Sequence, residues 1–256
     1  MAKDLEKKSS ARPGARFHVD GRLGNGSDVR LPPDAAHHAA RVLRLEAGDP
    51  IVLFDGHGGE FEARITRLER GEVHAKTGAH REVERESGLE VHLVQGLSSG
   101  ERMDFTLQKA VELGVAGIQP VAMERSVVRL KDERAQRRVE HWQNLVIAAC
   151  EQCGRNRVPR VAPVLDFGEY AGQLGPAEGE SRLLLSPQAA ASLRSRDRPA
   201  GRIVLMAGPE GGLAPGETQT ALARGFEAVR LGPRVLRTET AAVAALAALQ
   251  ALWGDF

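Results

Sequence analysis

Residues 202–253, RIVLMAGPEGGLAPGETQTALARGFEAVRLGPRVLRTETAAVAALAALQALW, decide the architecture. An apolar run, 203–207, stops at Gly208-Pro209-Glu210-Gly211-Gly212. A second run, 226–231, stops at Gly232-Pro233-Arg234 and leads through Arg237-Thr238-Glu239-Thr240 into a helix. Seven of the eleven residues from 241 to 251 are alanine, and none is charged. A helix that is apolar all round is buried, and alanine lets neighbouring backbones come close. The pattern predicts two strand ends with bare main chain above one buried helix. Thr238 or Thr240 is expected to cap that helix, with Glu239 at its positive end.

Upstream the same grammar continues. Residues 89–95 read as a strand ended by Gly96, and 103–113 as a helix stopped by Gly114. A strand follows at 118–122, then a helix at 132–150 with Val139, Trp142, Leu145, Val146 and Ala149 spaced to face a core. A further strand, 183–185, ends in Ser186-Pro187. Strands alternating with helices indicate an α/β domain with a mostly parallel sheet covered on both faces. Ligands in such folds sit at the carboxyl ends of strands, here 185–187, 208–212 and 231–236.

The first third reads differently. Residues 16–79 carry short strands (50–54, 60–68, 72–77), glycine turns and one helical segment, 33–43, which indicate a small barrel. Gly56-His57-Gly58-Gly59 is followed by another strand rather than a helix, so it reads as a hairpin turn and not a phosphate loop. Polar residues 80–88 are expected to connect this domain to the α/β domain, 89–256, and residues 1–15 to form a charged, disordered leader.

Composition narrows the function classes. A net charge of +1 gives no global argument for nucleic acid, so an RNA surface has to be a local patch: Arg155, Arg157 and Arg160; Arg194, Arg196, Arg198 and Arg202; or Arg230, Arg234 and Arg237. Cys150 and Cys153 have no second pair, and they end an amphipathic helix, where cysteine packs as a small hydrophobe. No metal site is expected. No apolar run approaches the roughly 20 residues of a spanning helix, and the N-terminus lacks a secretory signal, so a cytoplasmic location is expected.

The glycine corner lacks the lysine-hydroxyl ending of a Walker loop and the G-x-G-x-x-G spacing of a dinucleotide site. Glycines with φ-fixing prolines make a rigid wall of main-chain groups, which suits a nucleoside edge better than a triphosphate.

These segments together resemble the SPOUT RNA methyltransferases, and within them the RsmE-type 16S rRNA (uracil-N3) family. The resemblance rests on Glu151-Gln152-Cys153-Gly154-Arg155-Asn156-Arg157-Val158-Pro159, on Gly208 to Gly212, and on Leu231-Gly232-Pro233-Arg234-Val235-Leu236-Arg237-Thr238-Glu239-Thr240-Ala241. Gln108 to Val115, Glu124-Arg125-Ser126 and His38-Ala39-Ala40-Arg41-Val42-Leu43-Arg44 add to it in the family's order. It implies a PUA-like RNA-binding barrel followed by a SPOUT domain with a C-terminal trefoil knot, an exception to the rule against knots. It also implies S-adenosylmethionine as cofactor, a homodimer, and methylation of N3 of uridine 1498 in the 16S rRNA of the small ribosomal subunit.

On that resemblance, Leu185, Gly208, Glu210, Gly212, Leu231, Leu236 and Thr238 are the expected cofactor-binding residues. Arg237 and Arg155 are candidates to favour the uracil anion, Glu239 is the candidate base or substrate positioner, and Glu210 stands behind it. Arg41, Arg44, Arg155, Arg157 and Arg234 are expected to meet the RNA. A relative acting on another base or a ribose 2′-hydroxyl, or a non-catalytic RNA-binding protein, also fits these residues.

Overall fold

The computed structural model describes residues 14–130 and 132–256, so most of the expected leader lies outside the described residues. The chain divides into two compact units. The first holds the described residues up to Arg85 together with Cys150–Val158; the second holds Glu86–Ala149 and Pro159–Phe256.

In the first unit, β1 (Ala15–His18), β2 (Asp28–Arg30), β3 (Pro50–Phe54), β4 (Glu60–Glu69) and β5 (Glu72–Arg81) form one sheet in the order β1-β3-β4-β5-β2. β1 runs parallel to β3, and the other pairs are antiparallel. Alternation puts Ile51 and Leu53, Ala63 and Ile65, and Val73 and Ala75 inside, where they meet Phe17, Val19 and Leu31. The helical segment splits into α1 (Pro33–His37) and a π-helical turn (His38–Val42), which bring Ala36 and Ala39 into the same core. Gly56-His57-Gly58-Gly59 joins antiparallel β3 to β4, with Gly56, Gly58 and Gly59 all at positive φ, so it is a hairpin turn. His80 and Arg81 belong to β5, paired with Phe61 and Glu60, and not to the connection.

Segment 150–158 clusters with this first unit although its place in the chain is inside the second. Polar contacts explain it. The Glu151 carboxylate accepts the His18 amide at 2.9 Å, and Asn156 Oδ1 accepts Arg16 Nη2 at 2.6 Å. Asn156 Nδ2 donates to the Val83 carbonyl at 2.5 Å. Cys150 is wholly buried, and its thiol donates to the Arg157 carbonyl at 3.8 Å.

The second unit contains β6 (Val91–Gly96), α2 (Gly100–Glu112), β7 (Val115–Ala122), α3 (Asp132–Cys153, as far as Ala149), β8 (Arg160–Val161), β9 (Leu165–Asp166), α4 (Phe167–Gln173), β10 (Glu180–Leu185), β11 (Arg202–Ala207), α5 (Pro215–Ala223), β12 (Phe226–Val229) and α6 (Thr238–Trp253). The sheet order is β12-β10-β11-β6-β7-β8, with β9 also on β7, and every pair is parallel. Both faces are buried, as a parallel sheet requires. Val94, Leu184, Val204 and Met206 pack with Phe167, Tyr170 and Ala171 of α4 and Ala221 of α5 on one face. α6 packs against α2, β6 and β11.

Gly114, at φ +79°, ends α2 as its sequence predicts. Gln250, the only polar residue between 241 and 251, closes the junction of α2 and α6. Its Nε2 donates to the Leu113 carbonyl at 2.9 Å, and its Oε1 accepts the Ser87 hydroxyl at 2.7 Å. Among the described residues, no helix is long and apolar enough to cross a membrane.

Candidate active site

β12, β10 and β11 are neighbours, so their carboxyl ends lie side by side and their three following loops converge. Between those loops is a cavity of about 440 Å³, inside the ~300–1,000 Å³ range of small-ligand clefts. Leu185, Gly208, Glu210, Gly212, Leu231, Leu236 and Thr238, singled out from sequence for the cofactor, all line it. So do Arg234, Arg237 and Glu239.

The glycines keep the corner tight. A Cβ on Gly208 would lie 2.8 Å from Leu213 Cδ1, and one on Gly211 would lie 2.8 Å from Arg125 Cβ. Gly212 sits at φ +68°, where a side chain is strained. The wall is therefore main chain, with Leu185, Leu213, Leu231 and Leu236 supplying apolar surface.

The start of α6 differs from expectation. Neither Thr238 nor Thr240 caps it: Arg237 is the N-cap residue, and no side chain completes the cap. The Thr238 hydroxyl instead donates to the Gly208 carbonyl at 2.5 Å and accepts Gln95 Nε2 at 3.1 Å. A tertiary acceptor has displaced the local one, because Gly208 presents a carbonyl where β11 ends. Glu239 makes no side-chain cap either, and its Oε2 is buried with no hydrogen-bond partner among the described residues.

Two arginines at the cavity were not assigned a role from sequence, Arg102 and Arg125. Arg102, in the first turn of α2, donates to Glu210 Oε1 at 3.1 Å, and the same oxygen accepts the Ser99 amide at 2.9 Å. Burial pushes the Glu210 carboxyl up, but the amides of Ser99 and Glu210 and the Arg102 side chain outweigh it and hold it below the usual carboxylate range. Arg125 donates to the Gly211 carbonyl at 3.3 Å. Both arginines follow strand ends, of β6 and β7, so the rule that located the other three loops applied to them as well.

The remaining candidates lie in the first unit. Arg155 is 5% exposed, Arg157 is exposed and pairs with Glu84 at 3.4 Å, and Arg41 and Arg44 are exposed on the π-helical turn and just after it. The cavity is lined entirely by residues of the second unit, so it brings together Arg237 and Glu239 but not Arg155. Among the described residues, no group of three or more His, Cys, Asp or Glu is placed to hold a metal ion.

An RNA methyltransferase domain family matches residues 85–250, and an RNA methyltransferase PUA domain family matches 31–77. The chain is 30% identical over 241 residues to a ribosomal RNA small subunit methyltransferase E of Buchnera aphidicola, covering 94% of each. A crystal structure of the Neisseria gonorrhoeae ribosomal RNA small subunit methyltransferase E bound to S-adenosyl methionine is 45% identical, with a TM-score of 0.87, covering 95% of this chain and 99% of that one. A Legionella pneumophila protein in complex with S-adenosyl methionine is 38% identical, with a TM-score of 0.90 over the same shares. The PUA-type first domain, the parallel α/β second domain and the loops that close over its strand ends thus agree with one lineage, and the chain belongs to the RNA methyltransferase family of ribosomal RNA small subunit methyltransferase E.

Proposed function

We propose that this chain transfers a methyl group from S-adenosylmethionine to N3 of uridine 1498 in the 16S rRNA of the small ribosomal subunit, in the cytoplasm. The observation that carries the reading is the cavity at three adjacent strand ends, walled by main chain and leucines and rimmed by Arg102, Arg125, Arg234 and Arg237. That lining fits a nucleoside donor: leucine side chains for the adenine faces, carbonyls and amides for its edge. The arginine rim fits a polyanionic acceptor.

When bound, S-adenosylmethionine supplies an electrophilic methyl group on a sulfonium, and Leu185, Gly208, Glu210, Gly212, Leu231, Leu236 and Thr238 would hold it. The chain's own task is orientation and charge. N3 of uracil carries a proton that must leave for the ring to attack. Arg237, exposed at the N-cap of α6, is placed to favour the uracil anion. Glu239, two residues further on, is the candidate acceptor of the N3 proton. The target base has to be splayed out of its stack to enter.

On the RNA side, exposed Arg41, Arg44, Arg157 and Arg234 are proposed to meet phosphates. Buried Arg155 would contribute by holding the segment that presents Arg157. A homodimer is also part of the reading. Ala241, Ala244, Ala247 and Ala248 of α6 are only half buried, and Phe105 of α2 is 46% exposed, which leaves apolar surface on two packed helices for a second subunit.

The test is mass spectrometry of nucleosides from 16S rRNA or small subunits incubated with the protein and a deuterated donor. Label in 3-methyluridine at position 1498 supports the reading. Label on a ribose, on another base, or nowhere sinks it.

A further inference from the structure

Resting on that methyl-transfer reading, we infer that Gln95 is a positioning residue that acts on the site through Thr238. Gln95 is the next-to-last residue of β6 and is wholly buried. Its Nε2 donates to the Gly96 carbonyl at 3.0 Å and to Thr238 Oγ1 at 3.1 Å. The Thr238 hydroxyl then donates to the Gly208 carbonyl at 2.5 Å.

Direction in this chain is fixed by its ends. The atoms met at Gly96 and Gly208 are carbonyl oxygens, which only accept, so the amide points its nitrogen toward Gly96 and the hydroxyl its hydrogen toward Gly208. The cost is visible: Gln95 Oε1 is buried without a hydrogen-bond partner among the described residues. A core optimised for stability alone would fill this position with an apolar side chain, since an unpartnered buried acceptor costs about 1–3 kcal/mol.

What the relay secures is a distance. Gly208 opens the glycine corner, while Thr238 lies between Arg237 and Glu239 at the start of α6. The two segments are 30 residues apart in the chain and wall the same cavity. Gln95 thus sets the glycine corner against the helix start that carries the proposed reacting groups, without itself lining the cavity.

The test uses Gln95→Met, which keeps the volume and removes the donor, alone and combined with Thr238→Val in the full chain. Turnover at saturating donor and RNA is expected to fall about tenfold or more in Gln95→Met, because small misplacements of reacting groups are costly. Melting temperature should stay within about 3 °C, as the unpartnered acceptor leaves together with its bonds. The double variant should be no slower than Thr238→Val alone, the signature of two residues acting in series. Amide exchange in 208–212 and 239–242 should quicken about tenfold, since the tie between them is gone. Turnover within twofold of wild type, multiplicative losses in the double variant, unchanged exchange, or global unfolding of Gln95→Met would each overturn it. If the wild-type protein does not methylate uridine N3, the functional reading fails, and the exchange measurement still decides the relay.

Discussion

Arg102 Nη1 and Glu210 Oε1 lie 3.1 Å apart, joining the first turn of α2 to the middle of the glycine corner. Because the same oxygen also accepts the Ser99 amide, the carboxylate pins the corner to the loop after β6. A carboxyl held below its usual range by two amides and a guanidinium is a poor proton acceptor near neutral pH, so Glu210 is proposed as an anchor rather than a base. Glu210→Ala leaves the Ser99 amide unpartnered and is expected to cost about 1–3 kcal/mol by denaturant titration. Affinity for S-adenosylmethionine should weaken about tenfold by calorimetry, the scale of one charge-assisted bond. Unchanged affinity would remove Glu210 from the site.

Gly96 makes the second prediction. A Cβ there would lie 2.6 Å from both the nitrogen and Cδ of Pro209 and 2.9 Å from the Gly208 carbonyl carbon. These are backbone and ring atoms, so nothing flexible can yield and the corner itself has to move. Gly96→Ala is expected to abolish detectable donor binding while costing about 1–3 kcal/mol of stability, as overpacking does. Donor binding near the wild-type level would show that the corner can shift freely.

The sequence told more about the cavity than about the rest of the chain, and the reason is local. Strand ends at turn residues are local signals, readable without knowing any neighbour; they mark the three loops that wall the cavity, and the resemblance names Leu185, Gly208, Gly212, Leu231 and Leu236 within them. The sequence does not show that Thr238 leaves its cap, because capping is a local rule and its hydroxyl has a better acceptor in Gly208, which only the fold brings near. α4 and α5 are short helices of 7 and 9 residues, too brief for periodicity to mark in the sequence. Segment 150–158 clusters with the first unit through Glu151 and Asn156, polar residues whose long-range partners leave no trace in spacing.

Stability at acid pH should depend on Glu180. Its side chain is 8% exposed and pairs with Arg182 and Arg202, both at 2.5 Å. Burial raises its pKa, but the hydrogen bonds from Arg202 and Arg182 outweigh that and leave it below the ordinary 4.5. A carboxyl lowered on folding stabilises the protein fully above its unfolded value and loses that contribution as pH falls through the folded one. Glu180→Gln should therefore narrow the gap in melting temperature to wild type as pH drops below 4.5. Arg182→Ala, which also strips donors from the Gly175 and Arg224 carbonyls, is expected to cost about 3–5 kcal/mol at neutral pH. An equal gap at all pH values would exclude Glu180 as the titrating group.

Arg41 and Arg44 are exposed on and beside a π-helical turn, and Arg44 holds φ +53°, a strained value that fixes where its side chain leaves the backbone. If they meet phosphates, Arg41→Glu with Arg44→Glu should raise KM for RNA at least about tenfold and leave donor affinity alone. The dependence of RNA affinity on salt should also flatten by roughly two counterions. An unaltered salt slope would exclude Arg41 and Arg44 as phosphate contacts.

Arg237 and Glu239 flank Thr238, whose hydroxyl ties the start of α6 to the Gly208 carbonyl. Arg237→Ala is expected to lower turnover about 10²–10³-fold with the fold intact, the usual loss when one group stabilising a developing anion is removed. Glu239→Gln tests a different role. Its side chain makes no helix cap, so glutamine has no capping bond to restore or lose, and any effect on rate reports on charge or proton transfer. If Glu239 accepts the N3 proton, turnover of the glutamine variant should fall steeply at neutral pH and recover as pH rises toward the range where uracil N3 ionises unaided. The wild type should depend on pH far less over the same range. A glutamine variant that stays slow at every pH would make Glu239 a substrate positioner, and one that matches wild type throughout would remove it from the reaction.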